Sequence, residues 1–235
     1  MASKEFLHPL MSNNFEKDDF NPVIKLLKKK NVILTQSKNV KKFEYMWSKW
    51  LGVKYSVFVN SGSSANLISV DILKHLKGNG EVIVPALTWS SDISSVIKNQ
   101  MKPVFADIDL KTLSMNEDEI IKKYNKKTKA IFLTHAQGFN GLSNKLLKFI
   151  KRKKIFLIED VCESHGAKHG KKKLGTFGEI SNFSFYYAHH MSTIEGGMIC
   201  TNDKKIYELA RILRSHGLLR EMKDLKMKNR FIRKY

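Results

Sequence analysis

The chain has 235 residues, 42% of them hydrophobic, which is enough to bury a substantial core in one large domain or two small ones. Its two cysteines, Cys162 and Cys200, exclude a disulfide framework and an all-cysteine iron–sulfur cluster; no apolar run approaches the ~20 residues that cross a bilayer and no signal peptide is legible, so a cytoplasmic globular protein is expected. The formal net charge of +20 comes from 36 lysines against 6 arginines, scattered over Lys28 to Lys30, Lys126-Lys127, Lys151 to Lys154 and Lys171 to Lys173, a pattern of solvated surface and not of a nucleic-acid or membrane reading face.

In chain order, Val40, Phe43, Met46, Trp47, Trp50 and Leu51 recur at helical spacing and predict an amphipathic helix with both tryptophans in the core. Short apolar runs at Tyr55 to Val59, Glu81 to Val84, Pro103 to Ala106, Ala130 to Leu133 and Ile155 to Ile158 then read as strands. Between them Ala65 to Leu76, Asp92 to Asn99, Glu117 to Tyr124 and Lys145 to Lys153 read as helices. Phe183 to Tyr187 and Met198 to Thr201 are two further strands, and Asp203 opens a helix that runs to about Ser215. This alternation predicts an α/β fold, a mainly parallel sheet flanked by helices. We expect an N-terminal arm and helix over 1–50, a large domain over 51–217 and a basic tail over 218–235.

Four segments carry candidate chemistry. Asn60-Ser61-Gly62-Ser63-Ser64-Ala65-Asn66 lies between a strand and a helix, where small residues and unpaired helix N–H groups can cradle a phosphate, although a plain glycine–serine turn capping a helix would read the same. It is neither a P-loop nor a dinucleotide fingerprint. Pro85-Ala86-Leu87-Thr88-Trp89 follows a strand, so Trp89 is either core or a ring that can stack on a flat ligand. Ile155 to Asp160 is an apolar strand that delivers acids at its carboxyl end, the edge where open α/β sheets bind ligands, though an aspartate there can also merely end a strand. The fourth segment is Ser184-Phe185-Tyr186-Tyr187-Ala188-His189-His190-Met191-Ser192-Thr193-Ile194-Glu195-Gly196-Gly197. Cys162 has no partner at metal spacing, no metal is expected, and neither cysteine reads as a nucleophile.

Taken in order, from Leu34-Thr35-Gln36 to Arg214-Ser215-His216-Gly217, these segments resemble the DegT/DnrJ/EryC1/StrS sugar aminotransferases. The resemblance implies the fold-type I architecture of pyridoxal phosphate enzymes. It makes Ser63, Ser64 and Ser184 contacts of the cofactor phosphate, Trp89 the ring that stacks on the pyridine, and Asp160 the acid that keeps the ring nitrogen protonated, the condition for its use as an electron sink. Glu163 stands where many relatives carry glutamine near the phenolic oxygen, and His165 is expected to be structural. In the family a lysine in the last segment anchors the cofactor as an imine, but here its register holds His189, which moves protons and cannot form a stable imine. The resemblance therefore implies the pyridoxamine-using branch, the nucleotide-sugar 3-dehydratases, with L-glutamate as amino donor. An aminotransferase or an inactive relative in which His189 only fills space is the alternative, and a non-enzymatic polyanion binder a remote one. Family members are homodimers with a smaller C-terminal domain, which a sequence ending at Phe231-Ile232-Arg233-Lys234-Tyr235 is expected to lack.

Overall fold

The computed structural model describes residues 15–222 and 224–232, in two units, 1–43 and 44–235. The described part of the first unit contains helix α1 (Lys17–Leu27), in which Asp19 accepts the Glu16 N–H at 2.9 Å and Phe20, Val23, Ile24 and Leu27 are exposed. Helix α2 (Lys38–Leu51) starts in the first unit and continues into the second.

The second unit is built on strands β1 (Tyr55–Val59), β2 (Glu81–Pro85), β3 (Lys102–Ala106), β4 (Thr128–Thr134), β5 (Phe156–Asp160), β8 (Ile180–Ser184) and β9 (Gly197–Thr201). They form one sheet in the order β1-β9-β8-β5-β4-β2-β3, with a separate two-residue hairpin, β6 (Lys168–His169) and β7 (Lys172–Lys173). The β8-β5-β4-β2-β3 pairs are parallel, while β9 runs antiparallel to both β8 and β1. Reversing twice returns β1 to the direction of β8, so β1, β2, β4, β5 and β8 all end at the same edge. Helices α3 (Gly62–Lys77), α4 (Ser90–Lys98), α5 (Glu117–Lys123) and α6 (Asn144–Lys153) follow β1 to β4, and α7 (Lys204–Arg214) follows β9.

The apolar alternation of the strands divides the core into two faces. Val57, Val82, Val84, Phe132, Ile158, Ile180 and Ile199 pack with Ala65, Ile72 and Leu73 of α3 and Leu209 and Ala210 of α7. On the opposite face of β8 Phe183 is fully buried against Trp47 at a 5.1 Å ring separation, and Trp47 also meets Phe185 at 4.9 Å. The register aligns Thr134 with Asp160 and Asp160 with Asn182, so three polar residues form a row across β4, β5 and β8. They stand at the alternate positions that follow Phe132, Ile158 and Ile180, and therefore face α3.

Two sequence expectations are corrected. Phe183 to Tyr187 is not a strand: β8 begins at Ile180 and ends at Ser184, because the Phe185 N–H turns to Gly196 O (2.8 Å) and its carbonyl to the Thr193 N–H (3.0 Å). The polar residues Ser181 and Asn182 hid the strand's true start. Of the two tryptophans only Trp47 is core; Trp50 is 41% exposed, with Lys173 Nζ 4.8 Å from its ring. The described part of 218–235 contains a 3₁₀ turn at Leu219–Glu221 and helix α8 (Leu225–Ile232), with Met222 buried and Met227 packed on the core. The hairpin β6-β7 and helix α1 were not legible in the sequence.

Phe183 fills the space under β8 with no exposure at all. Phe183→Ala is expected to lower the unfolding free energy by about 3–5 kcal/mol, the transfer term plus an uncollapsed cavity, measured by urea unfolding.

Candidate active site

The candidate residues converge because five strands end at one edge. After β1, Ser61 caps α3: its side chain accepts the Ser64 N–H at 3.0 Å and its hydroxyl meets the Ser64 hydroxyl at 3.1 Å. Ser63, one residue into the helix, is exposed, and the N–H groups of Gly62 and Ser63 have no acceptor within the helix itself. Gly62 is needed for close approach. A Cβ there would stand 2.7 Å from the Ser184 Cβ and 3.0 Å from the Cys162 sulfur, so the end of β8 lies directly against the helix N-terminus. Three serines on two elements thus surround a positive helix end that no acidic side chain occupies, a fit for a phosphate. Ser64 is partly committed to Ser61, whereas Ser63 faces out; Ser184 is buried and accepts the Tyr186 N–H at 3.3 Å.

After β2, Trp89 is 69% exposed, which removes the core reading and leaves its ring free at the carboxyl edge. At the end of β5 the alternation separates two adjacent acids. Glu159 points to one face and is completely buried, where it accepts the N–H groups of Gly175, Phe177 and Gly178 and lies 3.2 Å from His135 Nε2. The Gly141 N–H donates to His135 Nδ1, so the imidazole proton is on Nε2, toward Glu159. This pair clamps two loops and has no room for a ligand. Asp160 points to the other face, 4% exposed, and accepts the Cys162 N–H and an Asn66 N–H, both at 2.9 Å. Glu163, further along the loop, takes the N–H (3.0 Å) and side-chain amide (3.2 Å) of Gln137, whose backbone is left-handed at φ 52°.

His189 is half-buried in the turn after β8, held by its N–H to Tyr186 O at 3.0 Å. Burial lowers its pKa below the ordinary 6.5, opposed in part by the negative charges of Glu163 and Asp160. The shift favours the neutral imidazole, which can accept a proton, and both candidate carboxylates are near enough for their charges to act on it. Behind it His165 packs among Trp47, Phe183 and Phe185 and stacks on His190 at 5.3 Å. Burial, then the nearby His190 and His189, push its pKa down to about 3. His165 therefore acts as a flat apolar filler. The Cys162 thiol is raised well above its usual range and Cys200 is pushed up to about 12, both chiefly by burial, which leaves neither a nucleophile.

Sequence reading missed the support beneath Asp160. Asn66, Thr88, Asp92, Thr134 and Asn182 form one hydrogen-bonded group; Asn66 and Thr88 lie in segments whose chemistry was read, but neither was singled out, and Asp92, Thr134 and Asn182 resemble ordinary helix-start or strand residues. Among the described residues no three His, Cys, Asp or Glu side chains come together to hold a metal, and no helix is long and apolar enough to cross a membrane.

The seven-stranded, mainly parallel sheet flanked by helices is the large-domain architecture of fold-type I pyridoxal phosphate enzymes. The chain belongs to the DegT/DnrJ/EryC1/StrS aminotransferase family, matched over residues 13–232. It is 34% identical over 221 residues to a GDP-4-keto-6-deoxy-D-mannose 3-dehydratase of Yersinia pseudotuberculosis, covering 92% of this chain and 56% of that protein. It is also 34% identical over 186 residues to a GDP-perosamine synthase of Escherichia coli O157:H7, covering 79% and 51% respectively. The structure of the E. coli GDP-4-keto-6-deoxy-D-mannose-3-dehydratase with bound hydrated PLP superposes with a TM-score of 0.85 at 34% identity, over 91% of this chain and 56% of that one. The chain spans about half the length of these relatives.

The ionisation of His165 has a measurable consequence. Its folded pKa lies below the unfolded value, so the unfolded state takes up a proton first and stability from this site is lost as pH falls from 6.5 toward about 3. His165→Phe should flatten that part of the stability–pH curve in thermal unfolding, with little change above pH 7.

Proposed function

We propose that this protein removes the 3-hydroxyl of a nucleotide-linked 4-keto-6-deoxyhexose, giving a 3,6-dideoxy-4-keto sugar for surface polysaccharide synthesis. The observation that carries the reading is His189, a half-buried imidazole near enough to Asp160 and Glu163 to feel their charges, in the register where aminotransferases need a lysine. Its likeness to a GDP-linked dehydratase supports the nucleotide-sugar substrate, and a related dehydratase structure with a trapped PLP-glutamate geminal diamine supports L-glutamate as donor. A cytoplasmic homodimer fits the reading.

Pyridoxamine phosphate, when bound, supplies the amine that condenses with a ketone and the ring that accepts electrons. Ser63, Ser64, Ser184 and the α3 N-terminus would hold its phosphate, and the exposed Trp89 ring would stack on the pyridine. Asp160 holds the proton at the ring nitrogen. Glu163, already oriented by Gln137, would be the acid near the phenolic oxygen. His189 takes a proton from the amine-bearing carbon and returns it to the departing 3-oxygen, a dual task for which a near-neutral imidazole is suited. Glutamate supplies the two electrons and the nitrogen, leaving as 2-oxoglutarate and, after hydrolysis, ammonia.

The test is incubation with nucleotide 4-keto-6-deoxyhexoses, pyridoxal phosphate and glutamate, followed by mass spectrometry for loss of the 3-oxygen. Transfer of an amino group to the sugar instead would favour the aminotransferase reading, to which the perosamine synthase likeness points. His189→Asn should bind cofactor with dehydration reduced by at least about 100-fold, the range of a lost general base, while His189→Lys should attach the cofactor covalently and suppress dehydration. Asp160→Asn should slow glutamate-driven loss of pyridoxal absorbance by orders of magnitude at nearly unchanged phosphate binding.

A further inference from the structure

The row Thr134, Asp160 and Asn182 is covered by a second carboxylate that the reaction does not use. Asp92, in the first turn of α4, is completely buried. Its Oδ1 lies 2.7 Å from Asn66 Nδ2, and its Oδ2 lies 2.6 Å from the Thr88 hydroxyl and 2.5 Å from the Thr134 hydroxyl. The same Asn66 nitrogen is 2.9 Å from Asp160 Oδ2 and 3.0 Å from the Ser91 hydroxyl. An amide nitrogen has two protons, and here it meets three oxygens. The amide cannot simply be turned over. Its oxygen accepts from Asn182 Nδ2 at 2.9 Å, and the Asn182 oxygen in turn accepts from Ser69 at 2.8 Å.

Two carboxylate groups thus converge on one nitrogen, away from water. Among the described residues neither forms an ion pair with Lys, Arg or His. From α3 Asp92 faces Asn66, from β4 Thr134, from its own loop and helix Thr88 and Ser91, and the titratable groups beside it are Asp160 and the Cys162 thiol, which burial keeps protonated. Two negative charges in this position repel each other with little solvent to screen them. The surroundings also decide which group keeps the proton. Asp160 Oδ1 receives the Cys162 N–H, a group that can only donate and so favours the anion. Asp92 Oδ2 meets two hydroxyls, which accept from a carboxylic acid as readily as they donate to a carboxylate.

We propose that Asp92 is a positioning residue for Asp160: it carries a proton, stays neutral, and through Asn66 holds the Asp160 carboxylate in place as the single negative charge of the pair. The proposal deepens, and rests on, the reading in which Asp160 meets the cofactor ring nitrogen. A neutral Asp92 fixes the orientation of Asp160 without a second anion that would spread its proton between two sites. Burial first, and the Asp160 charge second, push the Asp92 carboxyl well above its ordinary value of 3.8, in agreement with the geometry.

The sign for stability follows. The unfolded chain gives up this proton near 3.8 and the folded protein retains it, so from that pH upward the group costs stability progressively until it ionises in the folded state. D92N keeps the acceptor for Asn66 and a donor for the threonines, and has no proton to retain. Cofactor-free protein labelled with ¹³C at the aspartate side-chain carboxyl carbons is titrated by NMR, as the parent, D92N and D160N. We expect one aspartate carboxyl still protonated at neutral pH in the parent, missing in D92N, and titrating at a lower pH in D160N. The unfolding temperature of D92N should exceed that of the parent at neutral pH, and the advantage should vanish toward pH 3. No protonated aspartate at neutral pH in the parent, or one that persists in D92N, overturns the proposal; the parent titration decides even if a variant fails to fold. None of these readouts uses cofactor or sugar. A protonated Asp92 together with unimpaired glutamate half-reaction in D160N would therefore count against the cofactor reading of Asp160 alone.

Discussion

Everything at the candidate site depends on placing a carboxylate at the end of a buried strand without leaving it uncompensated. Asp160 is 4% exposed, and an unpaired charge at that depth would be costly. The sheet register solves this by lining Asp160 up between Thr134 and Asn182 and presenting the whole row to α3 and α4, where Asn66 and Asp92 complete the hydrogen bonding. The same helix α3 that supplies Asn66 to this row has its N-terminus at the serine cradle. One helix thus links the anchoring of the acid to a helix end suited to a phosphate, and the distance between the two is set by a single turn of helix between Gly62 and Asn66.

Strand alternation also explains why two adjacent acids have separate fates. Glu159 and Asp160 are neighbours in sequence, yet the pleat sends Glu159 to the opposite face, where His135 and three backbone N–H groups consume it. It is a clamp for the turn at Gly175 to Gly178. His189 lies outside the sheet, in a turn whose backbone is tied to Tyr186, and its base is formed by the packed rings of His165 and Tyr186. The imidazole is therefore positioned by packing, and its protonation is set by burial against the charges of Glu163 and Asp160.

Much of this was legible because chain order and strand direction are written in local patterns. Apolar runs of four to six residues marked β1, β2, β4, β5 and β9, and the motifs that follow β1, β2, β5 and β8 stood out since each breaks an apolar run with small, aromatic or charged residues. What failed has a common cause. Ile180-Ser181-Asn182 is a buried strand with polar residues that are satisfied only by distant partners, Gly175 for Ser181 and Ser69 and Asn66 for Asn182, so the local pattern misplaced β8. Asp92 looked like an acid favouring the start of a helix, as its position in the first turn of α4 allows, and only the tertiary fold reveals it as buried against Asp160. Trp50 shares the helical stripe of Trp47 but lies at its margin, beside Lys173.

The central claim is that this branch of the family works with a histidine where a lysine would hold the cofactor covalently. The direct measurement is borohydride reduction of the protein mixed with pyridoxal phosphate, followed by intact-mass analysis and peptide mapping. The account predicts an unmodified protein mass and cofactor that remains extractable by denaturation. A stoichiometric pyridoxyl group on a lysine at the β8 edge of the sheet would contradict it, because an amine would then be doing what His189 cannot.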